Sequence, residues 1–173
     1  VQSIRGKETK IIEFSEGNKI NDHKIQSTTE AEGTIITFHP DSNVFGSSYF
    51  IDEYIEKMIW NYVYLNKWLT IIFNGKRFHS KNGLLDLLEN NIDCEILYPI
   101  IHIKEDDFEF AITHSAKQYG EEYYSFVNGQ NTSQGGTHQA AFREAYVKTV
   151  RDFFKKDFEP NDIRQGIICA LSL

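Results

Sequence analysis

The sequence lacks most of what usually announces a chemistry. Its 173 residues hold two cysteines, Cys94 and Cys169, far apart and in no C-x-x-C or similar spacing. That excludes a disulfide framework and a cysteine-based metal motif, and both read as reduced, buried thiols of a cytoplasmic protein. The six histidines (His23, His39, His79, His102, His114, His138) form no H-x-x-H or H-E-x-x-H pair. No zinc site is therefore expected. No apolar run approaches the ~18 residues of a membrane span, and VQSIRGKETK is not a signal peptide, so no membrane partner is expected. There is no excess of positive charge: 18 Lys and Arg against 25 Asp and Glu leave a net charge of −7. That balance excludes a general nucleic-acid coat, though not a local basic face. Internal repeats and low-complexity segments are absent as well. The carboxylate pairs Asp106-Asp107 and Glu121-Glu122 are adjacent in the chain, so a strand would aim them to opposite faces, and no acid–base partner is identifiable.

What remains is a globular composition, 40% hydrophobic and 14% aromatic, long enough for one domain or one domain plus part of another. The pattern centres on residues 125–146, SFVNGQNTSQGGTHQAAFREAY. An aromatic strand runs into a polar loop that has no apolar residue after Val127, and the loop feeds a long amphipathic helix. Gly135-Gly136 permits positive φ or a close backbone approach, and Thr137 is placed to act as helix N-cap. On the helix, Phe142, Ala145, Tyr146, Thr149, Val150 and Phe153 share one face. Glu144, Lys148, Arg151 and Lys155 share the opposite one, and Arg143 lies on the flank. The loop lacks the lysine and hydroxyl of GxxxxGK(S/T), so it is not a phosphate loop of that class.

The rest of the chain reads in order. Residues 1–24 predict hairpin strands with turns at Gly6 and Gly17, and 25–32 a polar loop. GTIITFHPD (33–41) predicts a strand through Phe38, ended by Pro40-Asp41. Residues 47–66 predict a helix capped by Ser47 or Ser48, its core stripe being Ile51, Tyr54, Ile55, Met58, Ile59 and Tyr62. A strand turning at Asn74-Gly75 follows, then a short helix over Asn82–Asn91 carrying Leu84, Leu85, Leu87 and Leu88. Two strands over 98–115 join at Glu105–Asp107, and EEYYSFVN is expected as a third antiparallel strand. After the long helix, EPNDIRQG predicts a capped single turn and GIICALSL a buried strand.

Two stretches carry a family resemblance. SFVN…QGGTHQAAFREA resembles the transducer domain of the B subunit of bacterial type II DNA topoisomerases. Its pattern there is a strand ending in (S/C)(F/Y)VN or FTN, then GGTH, then a helix opening with an aromatic or leucine followed by arginine. Phe126, Val127, Asn128, Gly135, Gly136, Thr137, His138, Phe142 and Arg143 match in type and spacing. The likeness is closer to the topoisomerase IV form than to the gyrase form. GTIITFHPD resembles the last motif of the family's GHKL-type ATP-binding domain, G-T-x-x-x-F-x-P-D, through Gly33, Thr34, Phe38, Pro40 and Asp41.

The resemblance implies an α+β fold. Residues 1–40 are the C-terminal tail of a GHKL-type ATP-binding domain, and 41–173 a transducer domain truncated before the switch-lysine loop. That domain is a mainly antiparallel sheet backed by helices, with a left-handed βαβ crossover that local rules do not predict. It implies Thr34 as a nucleotide contact, and Arg143, Lys148, Arg151 and Lys155 as residues facing a transported duplex. For the parent it implies ATP and Mg2+, an A-subunit partner in an A2B2 heterotetramer, double-stranded DNA, and dimerisation of the B subunit on ATP binding. Val1 and the apolar end IICALSL are both expected to be cut ends of a longer chain. The family's water-activating carboxylate, magnesium-binding asparagine and glycine-rich lid are expected upstream, and its γ-phosphate lysine downstream. This stretch alone is therefore expected to hold no catalytic residue, no cofactor and no ATPase activity. Two other readings fit the composition: a non-enzymatic protein-interaction module, and a domain of another GHKL ATPase such as a mismatch-repair or chaperone enzyme, which GGTH disfavours.

Overall fold

Short alternating runs punctuated by glycine open the chain as a meander. In the computed structural model, which describes residues 1–173, β1 (Gln2–Arg5), β2 (Glu8–Ser15) and β3 (Asn18–Asp22) turn at Gly6 and Gly17, both at positive φ. β4 (Gln26–Ser27) pairs with β2, and β5 (Gly33–Ile35) pairs antiparallel with β1 to complete a five-stranded sheet of order β3-β2-β1-β5. The strand predicted through Phe38 stops at Ile35. One turn of helix, α1 (Ser42–Phe45), follows, capped by the Asp41 carboxylate accepting from the Asn43 N–H at 2.8 Å and ended by Gly46 at positive φ. These elements form one compact unit, Val1–Phe50; Ile51–Leu173 form a second.

The second unit starts with α2 (Asp52–Leu65), shorter than predicted. Ser47 and Ser48 cap nothing, and Ile51 holds the N-cap position without a side-chain bond. β6 (Thr70–Phe73) and β7 (Lys76–His79) form a hairpin on Asn74-Gly75, both at positive φ as a two-residue turn of this hand requires. α2 lies on this hairpin through Ile59, Val63 and Phe78. Of the predicted stripe only Ile59 is buried and Ile55 half-buried, whereas Ile51, Tyr54, Met58 and Tyr62 are exposed. Apolar spacing identifies a face; it does not supply a neighbour to cover all of it.

α3 (Leu84–Asn91) owes its start to Asp86. Its carboxylate accepts from the Ser80 hydroxyl at 2.7 Å and from the Lys81 and Asn82 N–H groups at 2.9 Å. The main sheet then comprises β8 (Ile101–Lys104), β9 (Glu109–His114), β10 (Glu122–Val127), β11 (Gln130–Asn131) and β12 (Ile167–Ser172), in the order β11-β10-β12-β9-β8. Two helices, α4 (Thr137–Phe154) and α5 (Pro160–Arg164, with proline in its first turn), join β10 to β12.

β10 runs antiparallel to β9, as expected of a third strand, but it is not its neighbour. β12 inserts between it and β9, running parallel to β10 and antiparallel to β9. The β10–α4–α5–β12 connection is thus a βαβ crossover in a sheet otherwise antiparallel. β12 is buried on both faces, which is why it reads as an unbroken apolar run. Ile168 and Ala170 face α3 with Leu84, Leu87 and Leu88. Ile167, Cys169 and Leu171 face the opposite side, where Phe142 and Tyr146 of α4 pack. The sheet is therefore the middle of three layers, and the thiol of Cys169 is raised by its burial.

Candidate functional site

The loop between β10 and α4 is held by a cluster of short side chains. The Thr132 hydroxyl lies 2.9 Å from the Ser125 carbonyl and 2.8 Å from the Ser125 hydroxyl. His138 Nε2 is in turn 2.5 Å from the Ser125 hydroxyl. Gly135 has φ 75°, and a Cβ there would stand 2.9 Å from the Gln139 side chain. At Gly136 the reason for glycine is space alone: its φ of 164° is ordinary extended backbone, but a Cβ would stand 2.8 Å from the His138 ring. The GGTH motif (Gly135, Gly136, Thr137, His138) is therefore a joint that seats the imidazole against the strand. Thr137 is not the cap predicted. The chain is already helical there, so the N-cap position falls on Gly136, which has no side chain to offer.

Seven residues into α4, Arg143 is not on a free flank. Its Nε and Nη2 donate to Glu121 Oε2 and Oε1 at 2.8 and 2.5 Å. Arg164 of α5 donates its Nε to the same Oε1 at 3.1 Å, and the Tyr123 hydroxyl donates to Oε2 at 3.0 Å. One carboxylate just before β10 thus ties down both helices of the crossover. Burial pushes the Glu121 carboxyl up, but Arg143, Arg164 and Tyr123 together hold it below its ordinary value. The Arg143 guanidinium is raised chiefly by Glu121.

The four cations expected to face a duplex separate into two pairs. Lys148 and Lys155 are exposed. Arg143 is engaged by Glu121, and Arg151 donates to the Phe158 carbonyl at 2.8 and 2.6 Å and lies 3.0 Å from Asp157. Arg151 is thereby an anchor for the turn after α4 rather than a free cation. The apolar face also differs from prediction: Val147 is the residue of α4 that is buried, while Phe153 is 79% exposed and stacks edge-on against Phe154. The last turn of α4 packs instead on the turn that follows it, where Phe154 meets Phe158 edge-on.

In the first unit Thr34 lies on the edge strand β5, opposite Ser3, with its side chain exposed. A cleft of about 1000 Å³ runs beside it, lined by Ile35, Phe38, His39 and Pro40 among others but not by Thr34. No three His, Cys, Asp or Glu side chains come together as a metal-binding group. No helix is long and apolar enough to cross a membrane. Sequence reasoning missed Glu121, Arg164, Ser125 and Thr132. Glu121 is visible in the sequence only as half of an acidic pair, since its partners lie 22 and 43 residues away.

A small β-unit followed by a three-layer domain with one parallel crossover is the fold of the ATPase and transducer regions of type II topoisomerases. The chain superposes on the 43K ATPase domain of Thermus thermophilus gyrase B, solved with an aminocoumarin, with a TM-score of 0.77 at 24% identity, covering 99% of this chain and 53% of that one. On the ATPase region of Saccharomyces cerevisiae topoisomerase II the TM-score is 0.66 at 18% identity, over 96% of this chain and 44% of that one. A family model described as DNA gyrase B matches residues 65–173, and the chain belongs to that family. It is 40% identical to the B subunit of DNA topoisomerase 4 from Borreliella burgdorferi, across 100% of this chain and 29% of that protein. To the B subunit of DNA gyrase from Helicobacter pylori it is 30% identical, across 93% of this chain and 24% of that protein. The chain thus spans under a third of the length of these curated relatives.

Proposed function

We propose that this chain is the segment of a type II DNA topoisomerase B subunit where the end of the ATP-binding domain meets the transducer, and that it relays nucleotide state to DNA strand passage. The observation that carries the reading is the β10–α4–α5–β12 crossover, with the GGTH joint at the start of its helix, in a chain of the DNA gyrase B family. Residues 1–40 are the tail of the ATP-binding domain and 41–173 the transducer. The bareness of the first unit supports this. Of its residues only Ile4 is buried, while Phe14, Ile20, Ile35, Ile36 and Phe38 are exposed, which suits an edge of a larger domain better than a self-sufficient one.

In this reading Thr34 belongs to the nucleotide network, Mg2+ accompanies ATP in the parent, and Arg143, Lys148 and Lys155 face the captured duplex, with Arg151 beside them. The partners are an A subunit in an A2B2 assembly, double-stranded DNA, and a second B subunit when ATP binds, all in the cytoplasm. The 40% identity to a topoisomerase IV relative, against 30% to a gyrase relative, favours the topoisomerase IV form. The test is reconstitution of the intact B subunit with its A subunit on catenated and supercoiled circles. ATP-dependent decatenation or relaxation is expected. An assembled complex that leaves topology unchanged with ATP and Mg2+ present would refute the reading.

A further inference from the structure

We infer that Glu121 is a masking counter-ion for Arg143, holding its guanidinium until a DNA phosphate replaces the carboxylate, and that Arg164 is the partner that stays behind. The inference rests on the reading that Arg143 faces the captured duplex; the mask itself comes from the geometry around Glu121.

Glu121 ties down α4 and α5 through two arginines and accepts from a phenol besides, so its carboxylate does not depend on either arginine alone. The two arginines are not equivalent. The Arg143 side chain is 40% exposed, that of Arg164 only 16%. Arg143 can swing outward by side-chain rotation alone. When it leaves, Oε1 keeps Arg164 Nε and Oε2 keeps the Tyr123 hydroxyl, so each oxygen retains a donor. A largely buried carboxylate stripped of its only cation would instead be strongly destabilising. Arg164 is fixed from its other side, its Nη2 donating to Asn161 Oδ1 at 2.9 Å.

The electrostatics agree. Arg143, Arg164 and Glu121 sum to one positive charge, so a phosphate meets a net cation even before the exchange. The neighbouring Glu122 accepts from the Tyr124 hydroxyl at 2.5 Å. The planar guanidinium fork accepts carboxylate or phosphate in the same bidentate geometry, so the exchange replaces like with like. Arg143 is also the cation of α4 placed to feel both ligands, because Lys148 and Lys155 are simply exposed.

The experiment uses the intact B subunit and a fluorescein-labelled duplex of mixed sequence, with affinity read by anisotropy across a salt series. Glu121→Gln is expected to tighten binding about five-fold, the scale of releasing one part-exposed ion pair. Arg143→Gln weakens binding and lowers the slope of log affinity against log salt by about one unit. In the Arg143→Gln background Glu121→Gln changes nothing, which separates unmasking from a general loss of negative charge. Tyr123→Phe changes no charge and removes the donor to Glu121 Oε2, so Arg143 is held harder and binding weakens with the slope unchanged. If Glu121→Gln fails to fold by circular dichroism, Tyr123→Phe decides alone. Unchanged or weaker binding by Glu121→Gln, or unchanged or tighter binding by Tyr123→Phe, overturns the mask while leaving a DNA role for Arg143. Unchanged affinity and slope in Arg143→Gln overturns the DNA-facing reading itself.

Discussion

His138 Nε2 lies 2.5 Å from the Ser125 hydroxyl, fastening the first turn of α4 to a strand 13 residues earlier in the chain. Because Ser125 is buried and Thr132 shares its hydroxyl, the joint has a second bond in reserve. His138→Ala is expected to destabilise the fold by about 1–2 kcal/mol in urea titration, one neutral hydrogen bond plus lost ring contact. Adding Thr132→Val is expected to cost more than the sum of the single changes, since Ser125 then loses both partners. Simple additivity would show that the three side chains do not act as a unit.

Carboxylates held down by hydrogen bonds set the acid limb of stability, Glu109 and Glu121 among them. Glu109 accepts from Lys104 at 2.5 Å and from His102 at 2.8 Å, with Lys67 at 4.0 Å. Burial pushes Glu109 and Glu121 up, yet their donors pull harder, and both folded values lie below the ordinary 4.5. A depressed carboxyl contributes its stability in full above the unfolded value and loses it as pH falls through the folded one. Melting temperature is therefore expected to fall below about pH 4.5, and Glu109→Gln to flatten that fall while lowering stability by about 1–3 kcal/mol at neutral pH. An acid limb as steep in the variant as in the parent would remove Glu109 from this account.

His114 works in the opposite chemical sense. Its Nε2 donates to the Ile163 carbonyl at 3.2 Å, so Nδ1 is left to accept from the Tyr98 hydroxyl. Burial lowers its pKa below the ordinary 6.5. Stability from keeping it neutral is complete above about pH 6.5 and declines as pH falls toward the folded value, because the unfolded chain takes up the proton first. An imidazole titration by NMR is expected to give a midpoint below 6.5, and a midpoint above it would contradict the burial argument.

Thr34→Ala in the intact protein is expected to weaken ATP binding by about 1–2 kcal/mol, the loss of one direct or water-bridged hydrogen bond, with melting temperature unchanged. The exposed position opposite Ser3 on an edge strand gives the side chain no packing duty in this chain. Calorimetry showing equal ATP affinity in parent and variant would leave Thr34 a plain strand residue.

Much of this is legible in the sequence wherever the cause is local. Asn74-Gly75 specifies its own turn, Leu84, Leu87 and Leu88 their own helix face, and the run Ile167–Leu171 a doubly buried strand. What is not legible depends on partners distant in sequence. Alternation in EYYSFV says strand but not that β12, some 40 residues on, takes the place beside it. The stripe Ile51, Tyr54, Met58 says face but not that the hairpin covers a different arc of α2. Arg143 reads as free because Glu121 lies 22 residues away, and no spacing rule reaches that far. The GGTH motif is visible as a site, yet its role as a joint needs Ser125 and Thr132 in place around His138.

Gly166 and Gly120 offer a controlled comparison, because both have φ 79° and the Gly166 N–H donates to the Gly120 carbonyl at 2.8 Å. They differ in what surrounds them. A Cβ at Gly120 meets nothing within 4 Å, so Gly120→Ala carries only the backbone strain of a left-handed residue, about 1–2 kcal/mol. A Cβ at Gly166 would stand 2.3 Å from the Ser115 carbonyl oxygen, which is backbone and has no rotamer to relieve it. Relief requires moving the end of β9 away from the start of β12, at the expense of the 2.9 Å bond from the Ser115 N–H to the Gly166 carbonyl. Overpacking and the lost bond together add about 2–4 kcal/mol to the same strain, so Gly166→Ala is expected to cost about 3–6 kcal/mol in all. That would loosen β12 in the middle of the sheet, and amide exchange along Ile167–Leu171 should accelerate with it. Equal denaturation midpoints for the two alanine variants would show that β9 and β12 are not held at this distance by the backbone at Gly166.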